Sequence, residues 1–172
     1  SESESTEIQR KILRVAEAAL DHDDPHGVIC RPGVSIIIQN AIADRERRGV
    51  WDIHEYVLMP NHIHLLVSLH AAELMPVMMN FKRYTARRVL HLLTSDVGPS
   101  SAALAERGIL SVACPRLWQR EWFDHWSRSP EEDRKIAAYI RYNPVKAKLC
   151  ARSEDWPLGS WNDAALARLR GQ

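Results

Sequence analysis

The chain has 172 residues, of which 45% are hydrophobic and 26% charged, and its formal net charge is +1. This composition excludes a disordered chain and suits one domain with a buried core. The near-neutral charge excludes a uniformly basic protein, so any surface that binds nucleic acid must be local. No run approaches the roughly 18 apolar residues of a membrane span, and the polar, acidic N-terminus does not resemble a signal peptide.

The three cysteines are widely spaced, at Cys30, Cys114 and Cys150. They form neither a CxxC pair nor a plausible disulfide framework, which fits the reducing environment of the cytoplasm. We interpret them as buried free thiols and expect a cytoplasmic protein without membrane contact.

Hydrophobic periodicity predicts two helices in the first part of the chain. Residues 1–22 are predicted as a polar start followed by a helix, because apolar residues recur there on one helical stripe. Residues 34–48 are predicted as a second helix that ends at Gly49. The β-branched opening of this second segment also fits a strand.

The next segments predict a β-hairpin. Residues 51–59 and 62–69 have the composition of strands, and Pro60-Asn61 between them is typical of a turn. A long helix is predicted over 74–93, which Pro76 could interrupt, and a loop follows over 94–115.

The last third is predicted to contain a short strand and two helices. The strand falls within 117–126. Ser129 and Pro130 predict the N-cap and first residue of a helix, with Glu132 completing a capping box. Asn143-Pro144 is expected to break or restart that helix, and a short helix follows over 163–170.

His62 and His64 form the first candidate site. Side chains alternate along a strand, so the two imidazoles should share one face, about 6.7 Å apart. Paired imidazoles on an open sheet face suit one divalent cation. The pattern is short and also fits two unrelated polar strand residues.

Tyr139 and Asn143 form the second candidate site, because residues four apart share one face of a helix. Lys135 lies one turn before the tyrosine. A phenol, with a pKa of about 10, needs a cation or a metal to become a nucleophile at neutral pH. Tyr142 is an alternative nucleophile. From spacing alone a structural role is favoured, with Asn143 as a cap for the following turn.

A basic helix and an aromatic segment are candidate DNA-binding regions. Lys82, Arg83, Arg87 and Arg88 occur within eight residues that contain no acidic side chain. Such a face can follow phosphates, although an ordinary solvated helix face has the same pattern. The aromatic segment 117–126 fits either the core or a groove for single-stranded DNA. The predicted DNA-binding set consists of these four basic residues with Trp118 and Lys135.

Four ordered motifs resemble the single-tyrosine HUH transposases, which include the IS200-like transposases. The sequence YVLMPNHIHLLV at 56–67 is similar to the signature strand pair of that family. WQ and FD within 118–124 are similar to the segment after its central helix. YI and NPVKA within 139–147 resemble the catalytic helix of the REP-associated tyrosine transposases, and DWP with Ser160 resembles the motif that follows.

The resemblance implies a ferredoxin-like α+β fold, an antiparallel sheet with helices packed on one face and the histidines on the other. It implies Mg²⁺ or Mn²⁺ held by His62, His64 and Asn143. Tyr139 would attack a phosphodiester of single-stranded DNA, leaving a 5′-phosphotyrosine link and a free 3′-OH, and rejoining would reverse the step. The implied partner is a hairpin with a flanking guide sequence, as in repetitive extragenic palindromes. We expect a nucleoid-associated bacterial protein that is a monomer or homodimer.

The chain departs from the family pattern at three places. Tyr142 stands where relatives commonly carry Asn, and Lys148 where they commonly carry Gly. The first strand of the family's sheet is not recognised in residues 1–26. We therefore divide the chain into an acidic segment and helix over 1–26, with a truncated first strand as an open alternative, an HUH domain over 27–161 and a tail over 162–172.

Three functions compete at this stage. The first is a DNA nicking and joining enzyme, and the second is a domesticated, catalytically weak DNA-hairpin-binding protein on the same fold. The third is a metal-binding or RNA-binding ferredoxin-like module without covalent chemistry. The enzyme requires Tyr139 and Asn143 to face His62 and His64 across one cleft.

Overall fold

Four antiparallel strands form one sheet in the computed structural model, which describes residues 10–15, 27–70, 73–95, 117–118 and 123–169. The strands are β1 (Arg10–Val15), β2 (Trp51–Leu58), β3 (Ile63–Leu69) and β4 (Phe123–Trp126). Their order across the sheet is β2-β3-β1-β4, and all three pairings are antiparallel.

Two long helices connect these strands. Helix α1 (Pro32–Arg47) lies between β1 and β2, and α2 (Leu74–Ser95) lies between β3 and β4. Helices α3 (Pro130–Lys146) and α4 (Ala164–Leu169) follow the last strand. The order βαββαβ with this strand arrangement is the ferredoxin-like topology. The predicted α+β fold class is confirmed.

Strand β1 corrects the prediction for the N-terminal segment. Residues 10–15 form a strand where a helix was predicted, and it pairs with β3 on one side and β4 on the other. The first strand that the resemblance implied, unrecognised in the sequence, is therefore present. A central strand obtains its hydrogen bonds from partners far away in sequence, and this tertiary pairing overrides a local helical stripe. The remaining residues of the predicted helix lie outside the described ranges.

Helices α1 and α2 cover one face of the sheet. The core between them contains large side chains that are 0% exposed, among them Trp51, Tyr56 and Phe81. Residues 34–47 are helical, so the strand alternative for that segment is wrong. Helix α2 runs without interruption through Pro76, because a proline in the first turn removes an N–H that has no helical partner anyway.

Helix α3 packs on the opposite face of the sheet. A smaller apolar cluster holds it there, formed by Val57, Met59, Leu66 and Ile140. The prediction placed the helices on one face of the sheet and the histidines on the other. The structure differs in that the histidine face also carries a helix. Among the described residues, no helix is long and apolar enough to cross a membrane.

The start of α3 agrees with the prediction from the sequence, whereas its end does not. Ser129 is the N-cap, and its hydroxyl accepts a hydrogen bond from the Glu132 N–H at 3.2 Å, with Pro130 in the first turn. The helix does not break at Asn143-Pro144 as predicted, but continues to Lys146. Pro144 still lacks the N–H that would bond to the Ile140 carbonyl.

A Schellman motif closes α3. The Lys148 N–H bonds to the Val145 carbonyl and the Leu149 N–H to the Pro144 carbonyl, both at 2.9 Å. Lys148 has a φ of 59°, the left-handed conformation that favours glycine at this position of a helix end. The positive φ explains why glycine suits position 148, where this chain carries lysine.

Candidate active site

The turn between β2 and β3 sets the position of His62. The Met59 N–H donates to the His62 carbonyl at 2.8 Å, which closes a turn with Pro60 and Asn61 at its centre. Gly27 packs on this turn with a φ of 54°, and a Cβ atom there would lie 2.1 Å from the Pro60 carbonyl oxygen. Glycine is therefore required at position 27 for both its conformation and its size.

His62 and His64 converge at their Nε2 atoms. His62 immediately precedes β3 and His64 lies within it, and their Nε2 atoms are 3.1 Å apart. The ring centroids are 4.7 Å apart and the rings are nearly perpendicular. Asn61 Oδ1 lies 2.7 Å from His62 Nδ1, so a proton on Nδ1 leaves the Nε2 lone pair directed toward His64.

This pair fits part of a divalent metal site. Adjacent ligands of an octahedral ion with bonds of 2.0–2.1 Å are roughly 3 Å apart, and the two Nε2 atoms are separated by 3.1 Å. Among the described residues, no group of three His, Cys, Asp or Glu side chains could hold a metal. A further ligand from this part of the chain would therefore be another side-chain type, such as an amide.

Asn143 carries an amide on the helix that also carries Tyr139. It lies inside α3, is 8% exposed, and its Nδ2 donates to the Tyr139 carbonyl at 2.9 Å. This bond leaves the Oδ1 atom as the side-chain donor for a metal. The alternative in which Asn143 caps a following turn is wrong, because the helix continues through this residue.

Tyr139 faces the histidine pair. Its ring centroid is 5.6 Å from that of His64, at an interplanar angle of 76°, and 47% of the residue remains exposed. The structure therefore brings together the strand pattern and the helix pattern that the sequence could only list separately. Tyr142 is 56% exposed and makes no ring contact with either histidine among the described residues.

Lys146 is a member of this site that sequence reasoning missed. Its Nζ atom lies 5.7 Å from the centroid of the Tyr139 ring. The available signal was its spacing, since a residue seven after Tyr139 returns to the same helix face after two turns. The other predicted cation of α3, Lys135, is exposed one turn before the tyrosine.

The predicted basic residues of α2 are not part of this cleft. Helix α2 packs on the sheet face opposite α3, so its exposed side chains, which include Arg83, Arg87 and Arg88, point away from Tyr139. Lys82 is only partly exposed, and its burial lowers the pKa of its ammonium group.

Trp118 requires a correction, because the structure buries this predicted DNA contact in the core. The residue is 5% exposed, and its indole Nε1 donates to Thr85 Oγ1 at 2.8 Å. Its ring lies 6.4 Å from that of Phe81. Of the two interpretations of the aromatic segment, the core is the one that holds for Trp118.

Part of the chain that includes the histidine pair matches a known protein family. Residues 26–96 match the model of the family described as "Transposase IS200 like". The resemblance to IS200-like transposases is confirmed. The matched residues contain β2, β3 and the histidine pair, whereas Tyr139 lies beyond them.

Two further comparisons each cover a larger share of the chain. A candidate REP-associated tyrosine transposase of Haemophilus influenzae is 27% identical over 114 residues, which are 65% of this chain and 60% of that protein. The match therefore spans less than two thirds of the relative. A solved structure of a REP-associated tyrosine transposase bound to a REP hairpin has a TM-score of 0.60 and 18% identity, over 94% of this chain and 82% of that one. At this identity the likeness supports the fold.

Proposed function

We propose that the protein nicks and rejoins single-stranded DNA in a metal-dependent reaction, with Tyr139 as the nucleophile. One observation carries the proposal, namely the convergence of two imidazoles and a phenol in one cleft. The ring centroids of His62 and His64 are 4.7 Å apart, and those of His64 and Tyr139 are 5.6 Å apart.

Tyr139 forms the covalent bond in this reaction. Its phenolate oxygen attacks the phosphorus of a phosphodiester, the bond from phosphorus to the 3′-oxygen breaks, and that oxygen leaves as a 3′-OH after taking up a proton. The DNA remains attached as a 5′-phosphotyrosine, and attack by a 3′-OH reverses the step. The exposed half of the Tyr139 side chain allows a DNA strand to reach it.

His62 and His64 would hold Mg²⁺ or Mn²⁺ through their Nε2 atoms, with Asn143 as a third ligand through Oδ1. When bound, such an ion supplies Lewis-acid polarisation of the phosphodiester and stabilises its developing charge. Lys146 adds a cation beside the Tyr139 ring. Its ammonium group would attract a phosphate of the DNA strand that reaches the tyrosine.

A DNA hairpin is the partner that the relatives support. The solved relative is bound to a REP hairpin, and a palindromic element of this kind presents a duplex stem beside an unpaired flank. The exposed arginines of α2 suit the phosphates of such a stem. In this proposal the unpaired flank reaches Tyr139 on the other face of the sheet.

A covalent adduct tests the proposal. The protein is incubated with Mn²⁺ and a labelled single-stranded oligonucleotide carrying a hairpin, and the adduct is followed by denaturing gel electrophoresis. The wild-type protein should form a labelled band that requires metal. Tyr139→Phe should abolish this band, whereas the matched variant Tyr142→Phe, three residues away, should retain it.

The opposite outcome would change the assignment. An adduct that survives in Tyr139→Phe and disappears in Tyr142→Phe would move the nucleophile to the second tyrosine. Hairpin binding without any adduct, across a range of hairpins and both metals, would favour the catalytically weak hairpin-binding protein instead.

A further inference from the structure

A polar groove lies on the side of α3 that faces away from Tyr139. It encloses about 410 Å³, and its lining includes His54, Glu55, Arg141, Ser160, Trp161 and Asn162. This volume lies within the range of small-molecule sites. Arg141 follows Tyr139 by two residues, which corresponds to about 200° around the helix. We call this feature the Arg141 groove.

A buried carboxylate fixes the guanidinium of Arg141. The Nε atom donates to a Glu55 carboxylate oxygen at 2.6 Å, and the Glu55 side chain is only 4% exposed. The Ser160 hydroxyl donates to the other oxygen of the same carboxylate. Arg141 is itself 55% exposed on its side chain, and its Nη1 and Nη2 atoms have no hydrogen-bond partner among the described residues. The arrangement therefore presents two donors to the groove from an anchored group.

Trp161 supports the same guanidinium. The Arg141 Cζ atom lies 5.6 Å from the centroid of the indole ring. The ring rests on the backbone of Gly159, where a Cβ atom would come within 2.3 Å of the indole Cζ2. Gly159 has an ordinary φ of −106°, so the requirement there is for space. Any side chain at position 159 would push the indole out of its place.

Two further polar atoms of the lining residues have unused hydrogen-bonding capacity. Asn162 Nδ2 donates to the carbonyls of Glu154 and Trp156, which leaves its Oδ1 as an acceptor. The indole Nε1 of Trp161 is buried and has no hydrogen-bond partner among the described residues. A buried donor without a partner is rare in proteins and commonly marks a missing water or ligand group.

We propose that the Arg141 groove binds one unpaired guanine of the DNA strand that reaches Tyr139. This inference rests on the proposed function, since it assigns a specificity contact to the same substrate. The O6 and N7 atoms of guanine are two adjacent acceptors, which match the two free Nη donors of an arginine. On the corresponding major-groove edge, adenine presents a donor beside its N7, cytosine presents a donor, and thymine offers a single acceptor, so the preference for guanine requires that the base enters with this edge.

The charge of the groove favours a base over a phosphate. Glu55 neutralises Arg141, and Asp163 adds a second carboxylate to the lining, so the groove has no excess of positive charge to attract a phosphodiester. Hydrogen bonds in a fixed orientation remain, and these discriminate between bases. The contact should therefore change base preference while leaving the salt dependence of binding almost unchanged.

A binding experiment on the uncleaving Tyr139→Phe protein tests this inference. Fluorescence anisotropy would give the affinity for oligo-dT strands that carry a single central dG, dA, dC or 7-deaza-dG. The dG strand should bind about tenfold more tightly than the dA, dC and all-dT strands, as expected for one bidentate arginine–guanine contact. Replacement of N7 by carbon in 7-deaza-dG should remove most of that preference.

Arg141→Lys is the matching variant, because lysine retains the charge and lacks the planar fork of donors. It should bind all strands within about twofold of one another. Arg134→Lys is the control, since Arg134 lies on the same helix in an exposed pair with Glu131, at 2.9 Å, and it should keep the dG preference. Circular dichroism of both variants would check that the fold is intact.

Equal binding of dG and 7-deaza-dG by the parent protein would overturn the inference without any change at Arg141. The same holds if Arg141→Lys keeps the full dG preference. These outcomes are separate from a failure of the proposed function, which concerns the covalent adduct. A protein that prefers dG but never forms an adduct would retain the groove and lack the chemistry.

Discussion

The two faces of the sheet bury different kinds of side chain. The face beneath α1 and α2 holds a continuous apolar cluster with Trp51 and Phe81 at 0% exposure. The face beneath α3 has an apolar cluster of four buried residues, and beside it lie the buried polar residues Glu55, His64 and Asn143. Full burial of one large apolar side chain contributes about 1.5–3 kcal/mol, whereas a buried polar group costs stability unless it is hydrogen-bonded.

This difference indicates that one face contributes mainly to stability and the other mainly to the chemistry. The first face supplies most of the hydrophobic stabilisation and thereby allows the second to carry groups that a core would exclude. His64 is 3% exposed, yet its Nε2 atom is directed at a second imidazole. Substitutions on the two faces should therefore separate stability from chemistry.

The largest expected effect is on stability, at the α1/α2 face. Phe81 packs against Trp51 with ring centroids 5.8 Å apart and is fully buried. Phe81→Ala should lower the free energy of unfolding by about 3–5 kcal/mol, because it removes buried area and leaves a cavity. Urea denaturation would measure this change. Met79→Ala, at a residue of the same helix that is 49% exposed, is the control and should change stability by less than about 0.5 kcal/mol.

The next effect is on chemistry, at the α3 face. His64→Ala should reduce the rate of adduct formation at least about 100-fold, since even an indirect partner of a metal site can contribute 10–100-fold. Removal of divalent ions with EDTA should have the same result. His70→Ala is the matched control, because His70 lies just beyond β3 in an exposed pair with Asp52 at 2.9 Å. The comparison of the two faces would fail if His64→Ala reduced stability more than Phe81→Ala while retaining the adduct.

The sequence predicted those elements whose signals are local. Ser129 and Pro130 marked the start of α3 because an N-cap and a first-turn proline act within one turn. Pro60-Asn61 marked the hairpin in the same way, and the turn then fixes His62 next to His64. Alternation along the predicted strand 62–69 also placed these two side chains on one face, although His62 immediately precedes β3 in the structure.

The missed features depend on contacts that are distant in sequence. Strand β1 is defined by its pairing with β3 and β4, which lie more than 40 residues away along the chain. Arg14, for example, pairs with His64. Trp118 was assigned to DNA although it packs on Phe81, because an aromatic residue has the same pattern in a core as in a groove. The approach of Tyr139 to His64 likewise depends on how α3 lies across the sheet.

The smallest expected effect concerns the basic residues that lie on the stability face. Arg83 and Arg87 are exposed on α2, which packs on the sheet face opposite α3 and Tyr139. Arg83→Gln with Arg87→Gln should weaken hairpin binding. The slope of log affinity against log salt should fall by about one for each phosphate that the variant no longer neutralises.

Adduct formation with a single strand that lacks a hairpin should stay unchanged in this double variant, because no substituted group reaches the cleft. Arg47→Gln with Arg48→Gln removes the same charge at the C-terminal end of α1, where both arginines pair with Asp44, and controls for a general reduction of positive potential. If the two double variants weaken hairpin binding equally, the α2 surface has no specific role and the stem must be recognised elsewhere. If only the α2 variant weakens binding, then the face that stabilises the fold also docks the stem, and the face that carries the polar residues receives only the unpaired strand.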